Sequence, residues 1–178
     1  MKNRFIENEL WYLSISGAFQ RNKIYAVALA EKDTKQKDAF KNLLRNSIFE
    51  LSKQYSNVVS DEQHVSNILN LILINQNPIL YNNGKLTFGT MQKLLNLYLK
   101  YLWCTDRLKQ IPPHCPVDSI ILQKSTNYKD HKWTQLDCKE KYMLYINDLR
   151  ELASARGMLL AEWELDVFNR RAEVNVFK

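Results

Sequence analysis

LTFGTMQKLLNLYLKYLWCTDRLKQIPPHCPVDSIIL, residues 86–122, decides how this chain folds. Met91 to Cys104 contains neither Gly nor Pro. With an advance of about 100 degrees per residue, Gln92, Lys93, Asn96 and Lys100 share one arc about 100 degrees wide. Met91, Leu94, Leu95, Leu97, Tyr98, Leu99, Tyr101, Leu102 and Trp103 cover the rest of the circumference. A surface helix shows the reverse ratio, so other elements are expected to enclose this one. Its single polar stripe then faces a cleft, a partner or a slit of solvent. Lys93 falls in the first turn or so, with Thr87 or Thr90 as the candidate cap. The unpaired N–H groups of such a helix start suit an anion such as a phosphate.

At the far end, Ile111-Pro112-Pro113-His114-Cys115-Pro116 is stiff and extended, because each Pro restricts itself and the residue before it. Val117-Asp118-Ser119-Ile120-Ile121-Leu122 follows, with Asp118 placed to cap a short helix. Phe88-Gly89-Thr90-Met91-Gln92-Lys93-Leu94-Leu95-Asn96 and Pro116-Val117-Asp118 together resemble the helix-hairpin-helix (HhH-GPD) DNA glycosylase superfamily. In motif spacing the stretch is most similar to the archaeal 8-oxoguanine DNA glycosylase branch. One departure is Met91, which stands where the usual hairpin has its second Gly.

The resemblance implies a DNA glycosylase with a strand-cleaving lyase activity, acting on double-stranded DNA with a flipped base. It makes Lys93 the nucleophile and Asp118 its activating carboxylate. Gly89, Thr90 and Gln92 become the DNA-gripping hairpin, and Gln20, from the N-terminal segment, a base-pocket residue. The altered base is oxidised guanine or a deliberately modified base of invading DNA, so the role is repair or defence. The chemistry fits these residue types. A base inside a duplex must be extruded before it can be reached. A Lys amine attacks only when deprotonated, and burial beside apolar walls disfavours its charged form. A nearby carboxylate stabilises positive charge developing on the sugar. The bland alternative keeps Lys93 a solvated charge and Asp118 a mere cap. The chain is then a non-catalytic basic helical protein that binds nucleic acid or a protein partner.

The remaining sequence bounds these readings. The 178 residues carry a net charge of +6, and Gly and Pro are scarce. This composition favours an all-α, single compact domain over 1–178, of about seven or eight helices, expected to be a monomer. A positive balance weakly favours a polyanionic partner. No apolar run reaches membrane-spanning length, and Met1 to Glu7 lacks the apolar core of a signal peptide. Cys104, Cys115 and Cys138 form an odd set with no disulfide framework, which points to a reducing cytoplasm. With no CxxC pair, HExxH, P-loop or GxGxxG, no metal or cofactor is expected. Cys115 beside His114 is a weak candidate nucleophile pair, since adjacent residues seldom aim at one another.

Element by element, residues 5–31 fit strand or helix, with helix favoured by their Ala content. Thr34 to Tyr55 is an amphipathic helix with Phe40, Leu43, Leu44, Ile48, Leu51 and Tyr55 inward and Lys35, Lys37, Lys41 and Arg45 largely outward. Ser60-Asp61-Glu62-Gln63 is a capping box that opens a helix through Val65, Ile68, Leu69, Ile72 and Leu73. His64 in its first turn is structural or exposed. Asn82-Asn83-Gly84 is a turn. Lys124 and Lys132, interleaved with Tyr128 and Trp133, form a candidate DNA-contact loop. Asp137-Cys138-Lys139-Glu140 is a second capping box, before a helix with Met143, Ile146, Leu149 and Ala153 inward. A last helix is expected over Leu160 to Arg171, where Trp163 either packs in the core or stacks on a flipped base.

Overall fold

Leu94, Leu95, Leu97, Tyr98 and Leu99 leave the central helix no face to give to water, so the chain wraps it. The computed structural model describes residues 1–26 and 34–168. Through them run α1 (Lys2–Phe19), α2 (Thr34–Ser52), α3 (Asp61–Ile74), α4 (Phe88–Cys104), α5 (Ser119–Leu122), α6 (Lys139–Ser154) and α7 (Leu160–Val167). Short 3-10 turns occupy Lys53–Ser56 and Trp133–Gln135. Among the described residues there is no strand, only isolated bridges between Tyr25 and Leu80 and between Asn82 and Lys85. The chain is all-α, as its composition predicts. No helix among the described residues is long and apolar enough to cross a membrane.

The central helix is longer and more enclosed than the spacing predicts. It begins at Phe88, with Thr87 as its cap: Thr87 Oγ1 accepts from the Thr90 N–H at 3.2 Å. Lys93 is therefore the sixth residue of α4 and stands in its second turn. Every residue from Phe88 to Lys100 is buried, the polar stripe included. α1 lies along α4 and brings in Leu10, Trp11, Ile15 and Ala18, with the Trp11 ring edge-on to Tyr98 at 6.5 Å. Ser14, Gly17 and Ala18 are buried on the same helix, and their small side chains let the backbones approach. α3 contributes Val65, Ile68 and Leu71, and α2 contributes Phe40, Leu44 and Ile48.

Several expected boundaries move for local reasons. Ser60 does cap α3, accepting from Gln63 N–H, but the Gln63 side chain bonds Asn67 and does not close the box. The second box does not form. Leu136 is buried and its carbonyl takes the Gly89 N–H at 2.9 Å, which pins the chain one step before Asp137. Cys138 becomes the cap residue of α6, without a side-chain cap bond. α6 turns Tyr142 and Tyr145 inward with Ile146, Leu149 and Ala153, and leaves Met143 half-buried. Past α1, the apolar run from Ile24 pairs its backbone with residues 79–81 and does not continue a helix; its stretch from Val27 lies outside the described residues. So does the expected extension of α7 beyond Phe168.

Candidate active site

The extended segment Ile111–Pro116 carries the chain back across α4 and delivers Val117 and Asp118 against its second turn. Gln92 fixes the delivery. Its side-chain amide donates to the Val117 carbonyl at 2.7 Å, and its Oε1 accepts from the Val117 N–H at 3.2 Å. One buried amide thus pairs both backbone polar groups of one residue, as a neighbouring strand would. The next residue is Asp118, whose Oδ1 caps α5 by accepting from Ile120 N–H at 2.9 Å and Ile121 N–H at 3.2 Å. That cap aims Oδ2 at the Lys93 ammonium, 3.3 Å away. Lys93 is 4% exposed and Asp118 5%, so the pair is shielded from bulk water. Lys93 Nζ also sits over the Trp133 ring, 4.4 Å from its centroid, where the negative face of the indole favours a cation.

Trp133 reaches that position because Gly89 has no side chain. A Cβ on Gly89 runs into the Trp133 carbonyl oxygen and crowds Leu136. The 3-10 turn therefore rests directly on the start of α4. Around Lys93 and Asp118 opens a pocket of about 370 Å³, lined also by Gln20, Arg21, Ser119, Ile120 and Trp133. Gln20 and Arg21 arrive from the end of α1. Asn22 ties that turn to α4 by donating to Thr90 Oγ1 at 2.6 Å.

Behind Gln92 a chain of buried polar groups leads along the same face of α4 and on to α6. Asn96 bonds Gln92 Oε1 at 3.3 Å and Tyr142 Oη at 3.0 Å. The Tyr142 hydroxyl donates to His114 Nδ1 at 2.9 Å, and His114 Nε2–H donates to Asp61 at 3.1 Å. Arg150 closes the far end with two bonds to Asp61, at 2.9 and 3.0 Å. The His64 ring stacks edge-on against His114, with centroids 4.5 Å apart, and bonds the Tyr55 hydroxyl at 2.7 Å. Burial pushes both imidazoles below their usual pKa, so both are neutral. The His114 hydrogen bond, then Arg150, holds the Asp61 carboxyl well below the usual range. This network anchors His114, four residues upstream of Asp118.

Of the residues singled out in the sequence, Lys93, Asp118 and Gln20 meet in one pocket. Gly89, Thr90 and Gln92, expected to grip DNA, are turned inward and buried. The Gly89 N–H is bonded to Leu136, the Thr90 N–H to Thr87, and the Gln92 amide to Val117, Gly89 and Asn96. The helix start therefore offers these groups to protein and not to a phosphate. Lys124 and Lys132 are exposed, and Lys132 adjoins the pocket residue Trp133. Trp163 is buried at 2% in the core and is not among the pocket's lining residues, which removes it from the base-stacking role. Cys115 is enclosed too, and burial pushes its thiol well up, while both His114 ring nitrogens are bonded elsewhere. That pairing cannot serve as a thiolate nucleophile. Arg21 and Trp133 line the pocket without having been singled out for it. Trp133 showed only as one aromatic in a basic loop, and nothing in the sequence pattern pointed to Arg21. Among the described residues no group of three His, Cys, Asp or Glu side chains gathers to hold a metal ion. Neither a protein-family model, a curated protein nor a solved structure matches this chain.

Proposed function

We propose that the protein excises an altered base from DNA, with Lys93 as nucleophile and Asp118 as its carboxylate partner, and then cleaves the strand as a lyase. The supporting observation is the Lys93–Asp118 pair at 3.3 Å, buried yet lining an open pocket. A second buried pair shows what the structural alternative looks like. Lys100 and Glu164 meet at 2.7 Å between α4 and α7, and neither lines that pocket. Lys93 differs by having space beside its Nζ. A non-catalytic basic binder has no need of such an arrangement.

In this reading the Lys93 Nζ gives its proton to Asp118 Oδ2 and attacks the sugar C1′ of an extruded nucleotide. The C1′–N bond breaks, and its electron pair leaves with the base, which takes up the proton that Asp118 received. Ring opening gives a Lys93–C1′ Schiff base, from which β-elimination cuts the strand. Once that proton has passed to the base, the restored Asp118 carboxylate stabilises positive charge on the sugar. Its fixed capping bonds hold that charge in place without reorganisation.

Borohydride trapping tests this directly, because the reagent reduces the Schiff base to a stable amine. The wild-type protein should form a covalent adduct with duplex DNA carrying an abasic site, and Lys93→Gln should form none. Asp118→Asn should slow adduct formation about a hundredfold or more. A panel of duplexes with single altered bases then identifies the base. Failure of the wild-type protein to trap even the abasic site sinks the proposal and leaves the binding-module reading.

A further inference from the structure

Arg21 combines three features that the pocket chemistry alone does not require. It lines the pocket with Lys93 and Asp118. Its backbone is left-handed, with φ of 65°, just past the end of α1. Helices commonly place Gly at that position, because a side chain there is strained. Finally, its guanidinium makes no hydrogen bond or ion pair with another described residue. The one carboxylate lining the pocket does not balance it. Asp118 already faces Lys93 with one oxygen and caps α5 with the other. Among the described residues, therefore, nothing balances the Arg21 charge, which is carried on a planar fork of donors, the geometry that matches a phosphate.

The placement of this charge is fixed from both sides. Asn22, the next residue, is bonded to Thr90 on the first turn of α4, one helical turn before Lys93. Gln20, the residue before, has its N–H bonded to Ser16. The start of α4, the usual place for a phosphate, is closed off by Leu136 and Thr87. We infer that Arg21 holds a phosphodiester of the strand whose sugar lies over Lys93. The inference rests on the base-excision reading. A sugar seated on Lys93 carries its flanking phosphates at the pocket mouth, where Arg21 stands. The contact forms only when the nucleotide has been extruded, so it selects the extruded state over intact duplex.

The test is equilibrium binding across a potassium chloride series, on two duplexes that differ at one position. One carries a tetrahydrofuran abasic analogue, which cannot form a Schiff base; the other is intact. Arg21→Asn and Arg21→Gly both accept a left-handed backbone, so the fold is not at risk. On the abasic duplex each should lower the slope of log K against log salt by about 0.9, the loss of one phosphate contact. On the intact duplex the slope should not change. Arg21→Lys should keep the slope but bind the abasic duplex more weakly, since a point charge replaces the fork. An equal change on both duplexes makes Arg21 a general surface charge and overturns the inference. So does no change on either. In both cases a wild-type borohydride adduct leaves base excision standing; with no wild-type adduct, both fall together.

Discussion

Gln92 shows how far one buried side chain can determine a site it does not belong to. Its amide takes both polar groups of Val117 and so sets where Asp118 begins. Removing it strands a buried N–H and a buried C=O, each costing about 1–3 kcal/mol when left unpaired. Gln92→Leu should therefore destabilise the protein by about 2–4 kcal/mol, read from urea unfolding. Gln92→Glu keeps the shape but turns a buried carboxylate oxygen toward the Val117 and Gly89 carbonyls, so it should cost at least as much. Both should lower the rate of borohydride adduct formation at saturating abasic DNA, because Asp118 loses its register against Lys93. If Gln92→Leu unfolds like wild type and traps at the wild-type rate, the clamp has no such role. The sequence placed Gln92 correctly on the polar stripe beside Lys93. It could not show that the stripe meets a returning segment, because helical spacing gives a direction and not a partner.

The same limit appears at the scale of whole elements. Which stretches are helices, and that α4 is surrounded, followed from a period of about 3.6 and from the count of apolar positions. What occupies each polar position of α4 did not. Lys100, at the far end of the stripe, pairs with Glu164 of α7 at 2.7 Å and lies 4.2 Å from the Phe168 ring. This contact docks the last helix through two buried charges. Taking Lys100 away breaks this buried pair, at a cost of about 3–5 kcal/mol. Lys100→Met alone should lower stability by about that amount. Lys100→Met with Glu164→Leu should recover most of the loss, since well-packed apolar residues often match a buried pair. A double variant no more stable than the single one rules out this account. Boundaries were less legible than helix identity. α6 starts at Lys139 because Leu136 is held by Gly89, and that tertiary bond overrides the capping box written at Asp137.

Across the whole molecule, the polar residues scattered through the sequence as His64, Asn96, His114 and Tyr142 converge on one side of α4. No local pattern announces this, since they come from four separate segments. Their convergence makes the stability of the protein depend on pH. His64 faces Tyr55, Asn96 and His114; His114 faces His64, Tyr142 and Asp61, with Arg150 beyond. Burial is the largest influence on both rings and pushes both pKa values down. In the unfolded chain a histidine titrates near 6.5. Below about pH 6.5 the unfolded chain therefore binds protons that the folded chain refuses, so stability must fall as pH falls. The stabilising contribution is complete above that pH. Each histidine can remove up to about 1.4 kcal/mol per pH unit until its folded pKa is reached. Asp61, whose carboxyl is also held down, acts in a separate window that opens only below about pH 3.8. Thermal melts at pH 7.5, 6.5 and 5.5 should thus show a small drop in midpoint between the first two and a larger one at the third. His64→Gln should roughly halve that drop, although its own midpoint at pH 7.5 is lower. A wild-type midpoint equal at all three values means the two rings are not buried as neutral groups. His114 is bound into the segment that ends at Asp118, so the same acid step should loosen the carboxylate. Adduct yield at pH 5.5 should then fall further than the folded fraction alone accounts for.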